Sequence, residues 1–258
     1  MTDTGTLSVP LPGGAAMPLL GFGTWQITGE ECYRAVRTAL DAGYRHLDTA
    51  TMYRNEAEVG RALRDSGVAR EEVFVTTKCP GGSDDPDGTL ENSLRDLGLD
   101  AVDLWLVHWP VNGVRLDLWH RFVAAQEAGR ARAIGVSNYS LDQIDTLTAE
   151  GTTPAVNQIS WGPSLFDGAV ETGHRRRGVV LEGYSPFKTT DLDDPVLREV
   201  AGAHSVTPAQ VVLRWHLEHG VVVIPKSANP DRIAANLAVT GFSLSPDEVA
   251  RIDALAGS

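Results

Sequence analysis

Two hydrophobic periods alternate along the chain. Short runs rich in apolar and β-branched side chains recur at residues 19–23, 46–50, 73–78, 101–109, 132–137, 155–160, 179–185 and 221–225. These runs are near-continuous in apolar character, as expected of strands covered on both faces. Between them, apolar positions fall at helical spacing over residues 30–42, 56–66, 89–97, 116–128, 141–149, 168–177, 195–203 with 208–218, and 230–239. Several helix starts carry capping chemistry. Thr28 with Glu31, and Ser140 with Gln143, fit capping boxes. Thr207-Pro208, Asn229-Pro230 and Ser245-Pro246 each place an N-cap residue before a proline at the first helical position.

Eight strand–helix alternations imply parallel strands shielded by helices, in an open doubly wound sheet or a closed barrel. No composition break or linker divides the chain, which favours an α/β fold of the (β/α)8 TIM-barrel type. Such a barrel typically needs about 250 residues, and the chain has 258. One domain over residues 1–258 is therefore expected. Two segments flank the repeat. Residues 7–9 and 16–18, around Pro12, Gly13 and Gly14, read as an N-terminal β-hairpin, and residues 246–254 as an extra C-terminal helix.

Composition adds exclusions. Lys plus Arg is 22 and Asp plus Glu is 34, a net charge of −12. That excess repels nucleic acid and acidic membranes, yet leaves room for a local basic pocket holding one phosphate. No apolar stretch is long enough to span a bilayer, and no basic start precedes an apolar core at the N-terminus. Cys32 and Cys79 are too few for a disulfide framework. The expectation is a cytoplasmic protein with no nucleic-acid or membrane partner. His216 and His219 form the closest histidine pair but lack zinc spacing, so no metal is expected.

In a barrel of this kind, chemistry sits at the C-terminal ends of the strands. The ends of the runs and the loops after them supply Trp25, Asp48, Lys78, His108, Ser137 with Asn138, Gln158, Tyr184, and Lys226 with Ser227. A purely structural barrel has no reason to place such groups at every strand end. Taken singly, each has a plainer explanation. Asp48 and Lys78 could be a buried ion pair, Tyr53 a surface aromatic, His108 a core histidine and Cys79 a packed thiol. Gly21 and Gly23 begin a dinucleotide fingerprint whose third glycine is missing, which disfavours a Rossmann site.

In this order the residues resemble the aldo-keto reductase family, as a short bacterial-type member like the 2,5-diketogluconate reductases. The resemblance rests on residues 43–60, which carry Asp48, Tyr53 and Glu56, and on residues 103–110, which carry His108 and Pro110. Gly135 with Asn138, Asn157-Gln158, Tyr184 with Pro186, and Lys226-Ser227 with Arg232 and Asn236 continue it over about residues 7–255. It implies NADPH-dependent reduction of a small carbonyl substrate by a monomer, with Asp48, Tyr53, Lys78 and His108 as the catalytic residues. A free tyrosine, with a pKa of about 10, is a weak acid for neutral pH. Lys78 would lower that pKa by stabilising the phenolate, Asp48 would fix Lys78, and His108 would orient the carbonyl.

The resemblance also implies the cofactor residues. Gly23, Thr24, Trp25 and Asp48 would belong to the cofactor site. Tyr184 would stack on the nicotinamide, and Ser137, Asn138 and Gln158 would bind its carboxamide. Ser185 and the loop of Phe187, Lys188, Thr189 and Thr190 would face the pyrophosphate. Lys226, Ser227 and Arg232 would hold the 2′-phosphate, and Asn236 would reach the adenine. The phosphate group has its own physical logic, because Arg232 falls in the first turn of a helix beside Lys226. Trp25, Tyr53, His108 and Trp109 would form the substrate pocket, with Trp161 as a further aromatic. Ala235, Ser160 and Gly162 depart from the family pattern, near the adenosine and around the sixth strand. Two other functions stay open: a regulatory barrel that binds NADPH without turnover, and an aldolase using Lys78 as a Schiff-base lysine. The short segment 111–115 and a chain stopping soon after Leu255 predict a shallow, open site of relaxed specificity.

Overall fold

In the computed structural model, residues 7–12 and 14–257 are described. A hairpin of β1 (Ser8–Pro10) and β2 (Ala16–Pro18) opens the chain. It pairs antiparallel, Ser8 opposite Pro18. Gly13, expected in its turn, lies outside the described residues. The barrel follows: β3 (Phe22–Gly23), β4 (His46–Asp48), β5 (Phe74–Cys79), β6 (Val102–Val107), β7 (Ala131–Ser137), β8 (Val156–Ser160), β9 (Val180–Tyr184) and β10 (Val222–Ile224). These strands pair in parallel in chain order. First and last meet through a parallel bridge at Leu20 and Val223 and through the bonds Gly21 N to Val223 O (2.9 Å) and Val223 N to Leu19 O (2.8 Å). The eight runs read from the hydrophobic pattern are thus the eight staves of a nearly closed barrel.

The helices coat it: α1 (Gly29–Ala42), α2 (Glu56–Ser66), α3 (Pro86–Leu97), α4 (Leu116–Glu127), α5 (Leu141–Thr148), α6 (Gly168–Arg176), α7 (Pro195–His204), α8 (Pro208–Glu218) and α9 (Pro230–Leu237), with α10 (Pro246–Asp253) last. β5 and β6 are buried at every residue, which a strand between helices and a filled lumen must be. On the outer face Trp105 of β6 stacks on Phe122 of α4, ring centroids 3.6 Å apart. Full burial of such a side chain contributes about 1.5–3 kcal/mol.

The capping box expected at Ser140 forms, and the N-cap residues Thr207 and Ser245 make capping boxes as well. The one expected at Thr28 does not: its side chain makes no capping bond. Helix α3 begins at Pro86, three residues before the predicted start at 89, because Asp85 caps it by accepting from Gly88 N (2.9 Å). His216 and His219, the closest histidine pair, lie on and just after α8 in separate roles. The His216 ring faces the Val212 and Trp161 carbonyls, while His219 sits between Glu171 and Asp253. Among the described residues no helix is long and apolar enough to cross a membrane.

Candidate active site

The C-terminal strand ends enclose a cavity of about 660 Å³. Its lining includes Trp25, Asp48, His108, Ser137, Asn138, Gln158, Tyr184 and Lys226, drawn from seven strand ends, with Tyr53 from the loop after β4. Lys78, at the remaining strand end, is fully buried beneath the cavity floor. Phe187 and Ser185 also line the cavity, as does Gly23. The rim is aromatic and half-exposed: Trp25 is 46% exposed, Trp109 48% and Met52 51%. The site is therefore open at the rim, as expected, but it runs down to Asp48 and Gln158 and is not shallow throughout. Trp161 does not join this wall. It is buried in the outer layer against Phe166, at 6.1 Å between ring centroids. The side chain at 161 points away from the lumen, as strand alternation from Ser160 requires.

Local bonding explains why Tyr53 stands where it does. The turn Thr51–Tyr53 follows β4, and the hydroxyl of Thr51 donates to the Lys78 carbonyl (2.8 Å). Fully buried Asn55 then clamps this turn to the loop after β3. Its amide donates to the carbonyls of Thr24 (3.0 Å) and Ile27 (2.8 Å), and it accepts from Thr49 Oγ1 (2.7 Å). Gly81 seats Trp109 against the β5 loop. A Cβ there would stand 1.8 Å from the Trp109 carbonyl oxygen, so no larger residue fits.

Lys78 Nζ makes three bonds: to Asp48 Oδ1 (2.5 Å), Thr49 O (3.0 Å) and Tyr53 Oη (3.2 Å). An ammonium has three N–H groups, so all are committed. Tyr53 Oη accepts one of them, which leaves its own O–H free to point into the cavity. Burial would favour neutral Lys78, yet the charge of Asp48 and the Tyr53 oxygen win, and its pKa rises above the usual lysine range. The sequence expectation for Tyr53 needs correction here. Lys78 does pull the phenol pKa down, but burial outweighs it, and the net shift in the free protein is upward. Burial, reinforced by Lys78, pushes His108 down to about 3, so its imidazole is neutral at neutral pH. His108 Nδ1 is buried without a partner. Placing the hydrogen on Nε2 leaves only a lone pair unmet there.

The other strand ends form a continuous polar wall. Ser137 Oγ donates to the Gln158 carbonyl (2.8 Å), Asn138 Nδ2 to Ser137 Oγ (2.9 Å), and Tyr184 Oη to Asn138 Oδ1 (2.9 Å). Asn138 and Ser185 hold φ of 65° and 54°, a left-handed backbone costly for non-glycine residues and common at functional sites. Gln158 Nε2 donates to Asp48 Oδ2 (2.8 Å) and Glu182 Oε2 (2.9 Å), leaving its amide oxygen to the cavity. Thr24 is not brought to the cavity. It is fully buried, and its hydroxyl donates to the Asp48 carbonyl (2.9 Å), so it supports the strand end from behind. Ser227, Arg232 and Asn236 lie beyond the cavity, past the exposed Lys226. Asn229 caps α9 by accepting from Arg232 N (3.0 Å), and Arg232 Nε approaches Ser227 Oγ (3.4 Å).

Comparison with known proteins fits this geometry. The aldo/keto reductase family model matches residues 19–256. The chain belongs to the aldo/keto reductase family. Among its relatives is 2,5-diketo-D-gluconic acid reductase B of a Corynebacterium species, 44% identical over 92% of this chain and 87% of the relative. Methylglyoxal reductase DkgA of Salmonella typhimurium is 42% identical, over 95% and 91%. An aldo-keto reductase from Bombyx mori, solved in complex with NADP, superposes with a TM-score of 0.91 at 32% identity, covering 98% of this chain and 93% of that one. For this family member, sequence reasoning missed three buried polar residues: Asn55, His46 and Glu182. Glu182 stands in the middle of β9 and His46 at the start of β4, and a polar residue in an apolar run was the available signal.

Proposed function

We propose that this aldo/keto reductase uses NADPH to reduce aldehydes and ketones to alcohols, with Tyr53 as proton donor. The observation that carries the reading is the full commitment of Lys78. Because its three N–H groups are spent, the Tyr53 O–H is the proton left facing the cavity.

The residues present fit a nicotinamide dinucleotide. The Gln158 amide oxygen faces the cavity beside the half-buried Tyr184 ring. Lys226, Arg232 and the capped start of α9 form a cationic cradle suited to a 2′-phosphate. Bound there, NADPH supplies the hydride. Tyr53 gives its proton to the carbonyl oxygen, and Lys78 stabilises the phenolate that remains. Asp48 holds Lys78 in place. Neutral His108 donates an N–H to the same oxygen and orients it, a contribution of about 3 kcal/mol for such a donor. Trp25, Trp109 and Met52 offer apolar walls that exclude water on the substrate side.

The test is the loss of NADPH absorbance with a panel of neutral aldehydes. Turnover with relaxed selectivity is expected. Tight NADPH binding with no turnover across the panel would overturn the reading and favour a regulatory barrel.

A further inference from the structure

Below the cavity floor the lumen holds a second carboxyl group that the reaction does not touch. Glu182, in the middle of β9, is fully buried. Its Oε2 accepts from Gln158 Nε2 (2.9 Å), and the same nitrogen donates to Asp48 Oδ2 (2.8 Å). Its Oε1 is buried with no hydrogen-bond partner. The nearest ring nitrogen is His46 Nε2, 3.8 Å away. His46 is itself fully buried, and its Nδ1 faces the Pro18 carbonyl (3.4 Å), an acceptor only. That contact puts the ring hydrogen on Nδ1 and leaves Nε2 a lone pair, with Thr76 Oγ1 3.3 Å away.

These contacts fix where a proton belongs. An ionised Glu182 would leave a charged Oε1 with no donor around it, in a lumen where unmet charge is most costly. A protonated Glu182 puts O–H on Oε1, facing the His46 lone pair, and leaves Oε2 to accept from Gln158. The titratable groups facing Glu182 are His46 and Asp48 from β4, Lys78 from β5, and Tyr53 beyond them. Asp103 acts on His46 from further down the lumen. His216 of α8 lies against Gly183, on the outer face of β9.

We propose that Glu182 is a positioning residue for the proton donor: it retains a proton inside the barrel and, through the Gln158 amide, keeps Asp48 on Lys78, so that Lys78 faces one anion only. While Glu182 is neutral, the phenolate left on Tyr53 finds a cation balanced by Asp48 alone. Ionisation of Glu182 adds a second buried negative charge and opposes that phenolate. Burial and the neighbouring Asp48 charge both push the Glu182 pKa upward, and burial lowers His46 to about 4, which agrees with one proton kept on the carboxyl. The inference rests on the reductase reading for its kinetic consequence, but not for the protonation of Glu182.

Glu182→Gln copies the protonated acid: its oxygen accepts from Gln158 and its N–H faces His46. With NADPH and an aldehyde, the wild-type kcat falls at alkaline pH as Glu182 ionises, and the variant escapes that fall. The variant to wild-type ratio of kcat is expected to be at least about fivefold higher near pH 9.5 than near pH 6.5. A ratio constant across pH overturns the proposal. A second readout needs no turnover. A carboxyl whose folded pKa is raised gives stability that is present below the unfolded pKa and lost as pH rises through the folded one. The melting temperature of Glu182→Gln, relative to wild type, therefore rises from acid through mildly alkaline pH. A flat difference overturns the protonation of Glu182. If the wild type reduces no carbonyl, the reductase reading fails, and the melting comparison still decides the role of Glu182.

Discussion

Asp48 at the mouth of the barrel accepts from Lys78 and Gln158. Asp103 at the opposite end accepts from Arg132 (2.8 Å), from Arg70 (2.7 Å) and from the backbone N–H of Val75 (2.8 Å). Both carboxylates are buried and both face cations. What surrounds them differs. The side chains of Arg70 and Arg132 reach solvent, 27% and 50% exposed, and neither they nor Asp103 line the strand-end cavity. Lys78 is fully buried and passes its third N–H to a phenol that faces a cavity. A buried ion pair alone is thus no sign of chemistry. The sign is a polar group left with a free valence where a substrate can enter.

Lys78→Met probes the contrast with the largest effect. It leaves Asp48 buried without its cation, a loss of about 3–5 kcal/mol of stability. A drop in kcat of roughly a thousandfold is expected beside it, because the Tyr53 phenolate loses its partner. Denaturant melts and turnover read the two separately. A variant that loses stability but keeps kcat would make the mouth no different from the floor. Replacing Lys226 and Arg232 by Ala should raise the KM for NADPH by roughly 10–100-fold while changing that for NADH by under about threefold, since charge-assisted bonds to a phosphate are lost. Equal effects on both cofactors would remove the phosphate role. Asp103→Asn should cost about 1–3 kcal/mol of stability and leave kcat within about twofold. A large fall in kcat would show that the floor is coupled to the chemistry after all.

A further test comes from acid. Burial holds His46 and His216 neutral, with pKa values near 4, well below the ordinary 6.5. The unfolded chain binds protons there first, so stability is present above about pH 6.5 and is lost as pH falls toward 4. Melting temperature should fall by several degrees over that range. A constant value would mean that these rings are not shielded as the packing indicates.

Most of the barrel was legible because eight apolar runs and their caps repeat one unit, and because Pro and Ser, Thr or Asn mark helix starts by a mechanism. The misses have local causes. Thr28 sits beside Gly29, with φ of 56°, and makes no side-chain cap. Asp85-Pro86 carries the same N-cap and proline pattern found elsewhere, but the weakly apolar turn after it hid the start of α3. Trp161 looked like a pocket wall until strand alternation placed it outside. The strand-end rule found the groups that meet the cavity. It could not find Glu182, His46 or Asn55, because their roles depend on what lies across the lumen or in the neighbouring loop, and a one-dimensional pattern does not carry those distances.

The central claim is that Tyr53 donates the proton while the cofactor site stands apart from it. Tyr53→Phe keeps the ring that packs 4.8 Å from Trp25 and 5.7 Å from His108, and removes only the hydroxyl. The decisive measurement is single-turnover reduction of an aldehyde by this variant, alongside its dissociation constant for NADPH. The account predicts a rate lower by roughly 100- to 10,000-fold and an NADPH affinity within about twofold of wild type. A retained rate, or a rate loss matched by an equal loss of NADPH affinity, would contradict it.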